Sequence, residues 1–303
     1  MDHDVAVMRQ RLPQEMLEEV VGHLKDERAT LLSCSLANSV LLPACRRLLF
    51  EEIRLFPYEI KAAICLLGAS YGTIAGAIRS LTISDRTAFG KVWARGVDEL
   101  PMPDVLSLQE RLQQLKRLTF EAVCDLHIPS EFWMMVNGLR RVQEVQVKQM
   151  SCFTSQQFFS HMSSLPALEK FTVFDSQWWG PDLGQLSRST NVRHMPILDI
   201  DRSGQKHVLQ WLLNREIAPT VDTFRLDIGV DLETALLAQR LLEIVGPAIN
   251  EFHLSLINGV HGKGVSRTLT YIIQSLLRRT GCYERHKSRR LQKHALSSCR
   301  EWI

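Results

Sequence analysis

The sequence predicts an α/β fold in which short parallel strands alternate with helices behind three short N-terminal helices. Three observations carry that expectation. A six-residue apolar pattern returns six times between residues 78 and 254, helix-period apolar stripes fill the gaps between its copies, and three compact helical segments occupy the first fifty residues. The 303 residues are enough for about two domains. Apolar residues at 45% and charged residues at 23% are ordinary for a globular chain.

The N-terminal segments come first. Leu12-Pro13 opens a helix, since proline has no N–H to leave unpaired in the first turn. Met16, Leu17, Val20, Val21 and Leu24 follow at helical spacing, with Glu15, Glu18 and Glu19 on the other side, where they complement the helix dipole. A polar break at residues 25–28 ends this helix. Residues 30–36 form a second, tighter segment, and Leu42-Pro43 opens a third that runs to Phe50. Three such helices bury too little surface to be robust alone, so they dock on a partner or on the rest of the chain. Spacing alone fits a plain helical cap equally well.

The wording of these segments resembles the F-box, and is especially similar to the F-box-like proteins abundant in basidiomycete fungi. The resemblance covers residues 11–55 and lies in Leu12-Pro13-Gln14-Glu15-Met16-Leu17, Thr30-Leu31-Leu32-Ser33-Cys34-Ser35-Leu36 and Leu42-Pro43-Ala44-Cys45-Arg46-Arg47-Leu48-Leu49-Phe50. It implies a non-catalytic subunit that docks on the Skp adaptor of an SCF (cullin-RING) ubiquitin ligase. The docking residues it implies are Leu12, Pro13, Met16, Leu17, Val20 and Val21, followed by Leu32, Leu36, Leu41 and Leu42. It further implies a cytoplasmic or nuclear setting, no cofactor, and a repeat domain that binds a protein target. The chain departs from the family at Leu41, where Trp is frequent, and at Ala37, where Val is frequent. Both departures remove apolar bulk from the docking surface.

The repeat pattern reads apolar-x-x-apolar-x-apolar at residues 78–83, 115–120, 142–147, 168–173, 221–226 and 249–254, with a weaker copy at 192–195 interrupted by Pro196. Its central apolar residues are spaced by 37, 27, 26, 24, 29 and 28. All but the first lie in or at the edge of the leucine-rich-repeat range. The long interval holds the Gly-, Pro- and charge-bearing stretch 85–103, read as an inserted loop. Helical stripes fall at residues 129–139, 154–165, 205–217 and 232–245. The expected architecture is therefore an F-box-like module at 11–55, a linker at 56–73, and a degenerate leucine-rich-repeat-like solenoid at 74–256, with parallel strands concave and helices convex. A helix within 257–280 caps it, and a basic tail follows at 281–303. An ordinary α/β domain without a repeat is the plainer alternative.

Alternation along each strand sends one set of side chains off the concave face. The residues assigned to target binding are Arg117 and Glu121, Glu144 and Lys148, Lys170 and Phe174, Arg225 and Asp227, and His253. Trp178 joins them as an aromatic anchor just past a strand, beside Trp179. Packing of one of these tryptophans onto the next repeat is the competing expectation. Mixed charge on this face argues against a nucleic-acid surface.

Other signals point to little chemistry. Seven cysteines without a CxxC pair suit reduced thiols. The acidic N-terminus is unlike a signal peptide, and the longest apolar run, residues 62–69, is far short of a membrane span. Gly262-Lys263 is followed by Gly264, whereas a Walker A loop needs Ser or Thr there. Cys282, His286, His294 and Cys299 match no common zinc spacing, so no metal is expected. From Arg278 onward eight Lys or Arg face two acids, which makes the tail basic and leaves a basic-tailed nucleic-acid binder as a further alternative.

Overall fold

The computed structural model describes residues 13–69, 74–85, 105–153, 155–179, 197–201, 205–214, 220–228 and 232–256. Three helices open it: α1 (Gln14–His23), α2 (Arg28–Ala37) and α3 (Leu42–Leu49). Pro13 immediately precedes α1 and Pro43 lies in the first turn of α3, the positions that cost a helix nothing. Val21, Leu31, Ala44, Cys45 and Leu49 close on one another as a small separate core, with Leu24, Cys34, Leu41, Leu48 and Phe50 packed against it. Burial pushes the Cys45 thiol above its ordinary pKa, and the nearby Cys34 adds to the effect. The Arg47 guanidinium reaches the Glu18 carboxylate at 3.2 Å, tying α3 to α1.

The strands in chain order are β1 (Glu52–Leu55), β2 (Ser80–Ser84), β3 (Arg117–Glu121), β4 (Glu144–Lys148), β5 (Ser151–Cys152), β6 (Lys170–Phe174), β7 (Gln177–Trp178), β8 (Ile197–Ile200), β9 (Thr223–Ile228) and β10 (Glu251–Leu256). The helices between them are α4 (Ile60–Gly68), α5 (Val105–Arg111), α6 (Ser130–Asn137), α7 (Ser155–Ser163), α8 (Gln205–Leu213) and α9 (Leu232–Val245). Among the described residues eight strands form one parallel sheet in the order β1-β2-β3-β4-β6-β8-β9-β10, each beside the strand of that sheet that precedes it in the chain. β5 and β7 make a second, two-stranded parallel ribbon. Parallel neighbours need a crossover of helical length, which the intervening helices supply. Among the described residues no helix is long and apolar enough to cross a membrane.

Pairing holds every strand in one register. Ile53, Leu81, Leu118, Val145, Phe171, Leu198, Phe224 and Phe252 stand side by side in one row. Leu55, Ile83, Phe120, Val147, Val173, Ile200 and Leu226 make the next apolar row. Three expectations are corrected. The strand sought at 192–195 is β8, three residues later, so Pro196 stands before the strand rather than within it. Leu198 then replaces Met195 as the central residue, and the spacings become 37, 27, 26, 27, 26 and 28. Residues 56–73, expected to be a linker, instead contain α4, whose Ile60, Ile64 and Leu67 are buried in the main core. β1, placed in the N-terminal module from the sequence, is the first strand of the sheet.

A backbone irregularity repeats with the strands. Ala122, Gln149 and Asp175, each one residue past β3, β4 and β6, have φ of 51°, 54° and 46°. The left-handed conformation costs about 1–3 kcal/mol for a residue with a Cβ, and here the sheet offsets it. The Ala122 N–H donates to the Lys148 carbonyl at 2.8 Å and the Gln149 N–H to the Phe174 carbonyl at 2.9 Å. Each kink turns the following residue, Val123, Met150 or Ser176, into the interior. The chain then pairs again through the Cys124–Ser151 bridge and the β5–β7 ribbon.

The main core is continuous from Ile60 to Ile249. At its centre Phe158 lies edge-on to Phe120, Phe159 and Trp178, and Trp211 stacks on Phe159 at 5.0 Å. The buried Trp211 indole N–H donates to the Ser163 hydroxyl at 2.9 Å, and that hydroxyl donates to the Phe159 carbonyl at 2.8 Å. No polar group of this relay is orphaned.

Candidate functional site

Strand alternation puts a polar face opposite the core. One row on it runs Glu52, Ser80, Arg117, Glu144, Lys170, Ile197, Thr223, Glu251. A second runs Arg54, Thr82, Thr119, Gln146, Thr172, Asp199, Arg225, His253. A third contains Ser84, Glu121, Lys148 and Phe174. Register brings the assigned residues Arg117, Glu121, Glu144, Lys148, Lys170, Phe174, Arg225 and His253 onto this one surface. Asp227 occupies the corresponding place in β9, although its side chain lies outside the described residues. Ile197 and Asp199 also belong here and were missed, because the strand slot was read three residues early.

Charges on this face are largely matched. Glu144 sits between two cations, with Arg117 Nε at 2.8 Å and Lys170 Nζ at 2.7 Å, and accepts from the Gln146 amide at 2.7 Å. Burial alone would raise its pKa, but these three donors together outweigh burial and hold it at about 2. Arg54 meets Glu121 at 3.3 Å. His253, followed by Arg225, holds the Glu251 carboxyl below its usual range.

Acid sensitivity follows from the Glu144 cluster. A native pKa of about 2 against an ordinary 4.5 means its contribution is complete above pH 4.5 and disappears as pH falls toward 2. Because Arg117 and Lys170 are half-exposed, solvent screening reduces that contribution to about 1–2 kcal/mol. The half-buried His161, stacked on Trp133 at 4.8 Å, acts in the same direction at higher pH. Burial lowers its pKa, so it stabilises the fold above its ordinary 6.5 and less as pH falls below it. Urea midpoints for Glu144→Gln and the parent should differ at pH 7 and draw together only as pH falls from 4.5 toward 2. Unchanged separation across that range would count against this account.

The two adjacent tryptophans divide. Trp178, assigned to target binding, is 9% exposed and packs on Phe158 and Phe159, so it is a core residue and not an anchor. Trp179 is 51% exposed and lies parallel to the exposed Phe153 at 6.0 Å. Phe153 had not been singled out, though its spacing from Trp179 matches the repeat. Asp125 is buried nearby and accepts from the Phe153 N–H at 2.9 Å.

The N-terminal helices present a second surface. Met16, Val20, Leu32, Leu36 and Val40 are all large, apolar and exposed, Leu36 to 87%. Of the ten residues assigned to adaptor docking, Met16, Val20, Leu32 and Leu36 are among these exposed residues, and Pro13 is exposed as well. Leu17 and Leu42 are half-buried. Val21 is a correction: at 1% exposure it is part of the module's own core, and Leu41 packs against that core. Leu12 lies outside the described residues.

No group of three metal-ligating side chains occurs among the described residues. The Cys282–Cys299 set, the loop around Lys263, the capping helix, the basic tail and most of the 85–103 loop lie outside them. The described chain is thus an α/β protein whose sequentially ordered parallel sheet carries one polar face, preceded by a helical module that exposes several large apolar side chains. No family model matches the sequence, and comparison with curated proteins and with solved structures found no significant match.

Proposed function

We propose that the chain is a substrate-recognition subunit of an SCF-type ubiquitin ligase. On this reading α1 and α2 dock on a Skp adaptor, and a leucine-rich-repeat-like solenoid built on the sheet holds a protein target. The observation that carries it is the exposure of five large apolar side chains, Met16, Val20, Leu32, Leu36 and Val40, on a helical module that has already closed its own core. A helical module has no reason to expose five large apolar side chains unless something covers them. The F-box resemblance supports the adaptor as that cover, and the sequential parallel sheet, with intervals of 26 to 28 apart from the 37 between β2 and β3, suits the repeat. The chain then contributes proximity, raising the local concentration of an acceptor lysine near a partner's thioester.

Titrating the full chain with a purified Skp adaptor tests the proposal. A complex at micromolar concentration is expected, weakened at least about 30-fold by Val20→Asp or Leu36→Asp. No complex with the parent chain sinks the ligase reading. The second reading, an interaction scaffold without ligase function, is favoured by Leu41 packing inward and by the small Ala37 on the outer surface. It predicts that same absence of a complex while target binding persists.

A further inference from the structure

We infer that Leu126, Phe153 and Trp179, with Lys148 and Phe174 at the ends of the strands that lead into Phe153 and Trp179, form a docking strip for a protein segment that presents an apolar or aromatic anchor and a carboxylate. The inference rests on the target-binding half of the proposed function and names its surface. Cys124 bridges Ser151, and Ser151 pairs with Gln177. Two residues beyond each stand Leu126, Phe153 and Trp179, so the three are equivalent positions in successive repeats. They are 63%, 46% and 51% exposed, whereas the residues just before them, Asp125, Cys152 and Trp178, are buried. Alternation at the ends of β5 and β7 buries Cys152 and Trp178 and turns Phe153 and Trp179 outward, while Leu126 points out from the short 3-10 turn Asp125–His127.

The strip is held in place. The Phe153 N–H donates to Asp125, and the Trp179 N–H donates to the Cys152 carbonyl at 2.7 Å. Anchors fixed before binding lose little freedom on binding, and rigid aromatics dominate protein interfaces.

Charge defines the partner further. Among the described cations of the polar face, Arg54, Arg117 and Lys170 each meet a carboxylate, and Arg225 acts on Glu251. Lys148, at the end of β4 and next to Phe174 in register, has no such partner. It is the cation left for an incoming carboxylate. The carboxylates distributed over the same face oppose a polyanion such as nucleic acid, which leaves a mixed apolar and acidic protein segment.

The test uses the full chain and a phage-displayed random dodecapeptide library, followed by anisotropy with the enriched peptide. Enrichment of peptides that pair Trp, Phe or Leu with Asp or Glu is expected. Phe153→Ser and Trp179→Ser should each weaken binding about 30-fold, with unchanged melting because both side chains are exposed. Lys148→Glu should weaken it about tenfold and recover when the peptide's acid is changed to lysine. The Leu36→Asp variant should bind the peptide normally, which separates failure of this strip from failure of adaptor docking. No enrichment, or binding within twofold of the parent in the Phe153→Ser, Trp179→Ser double variant, overturns the inference. So does a dimer of the parent chain in sedimentation that Trp179→Ser abolishes, since the occupant would then be a second copy.

Discussion

Phe158→Ala is expected to destabilise the protein by about 3–5 kcal/mol, the cost of emptying a large aromatic site in a core. Phe158 is 1% exposed and touches aromatic neighbours from four elements. Its ring lies 5.7 Å from Phe120, 5.9 Å from Trp133, 5.5 Å from Phe159 and 5.3 Å from Trp178, all edge-on. Those neighbours hang on β3, α6, α7 and β7, so the cavity cannot close without moving backbone that the sheet register holds. Edge-to-face contacts add to the loss beyond area alone. Against a typical total of about 5–15 kcal/mol, one such change removes much of the stability. Phe158→Leu keeps most of the volume and should cost about 1–2 kcal/mol. Urea unfolding of the two variants checks this, and equal midpoints would contradict it.

Asp125→Ala should cost about 2–3 kcal/mol, the second largest effect expected here. The carboxylate is buried, accepts from the Phe153 N–H at 2.9 Å, and receives the Cys152 thiol at 3.4 Å. Removing it leaves a part-buried backbone donor without its acceptor and a cavity where the buried carboxylate stood. Asp125→Asn keeps an acceptor and should lie between the parent and the alanine variant. Hydrogen exchange gives the sharper readout, because the Phe153 amide should lose protection in Asp125→Ala while the β3 amides keep theirs. Retained protection at Phe153 would remove Asp125 from its assigned role. The same variant loosens one anchor of the exposed strip, so it couples stability to the proposed docking surface.

Much of this fold is legible in the sequence because periodicity records burial locally. The six-residue pattern locates β2, β3, β4, β6, β9 and β10, each strand beginning two residues into it. The stripe at 232–245 coincides with α9, and the prolines mark the openings of α1 and α3. Where local signals compete, the reading slips. β8 was misplaced by three residues, because Val192 and Met195 imitate the pattern and Pro196 looked like an interruption. β1 and α4 were passed over as module end and linker, since four residues of alternating exposure carry no signature until a neighbouring strand pairs with them.

The sequence by itself determined the class of fold, the alternation of strand and helix, and which side of β2, β3, β4, β6, β9 and β10 faces the core, because each depends on neighbours along the chain. Only the tertiary structure decided between Trp178 and Trp179, took Val21 from the outer surface of α1 into the module's core, and brought Leu126 and Phe153 into line with Trp179. Those outcomes depend on residues one or more repeats away. A left-handed residue after β3, β4 and β6 and the register of the next strand select the side chain that is buried, and no local pattern carries that information.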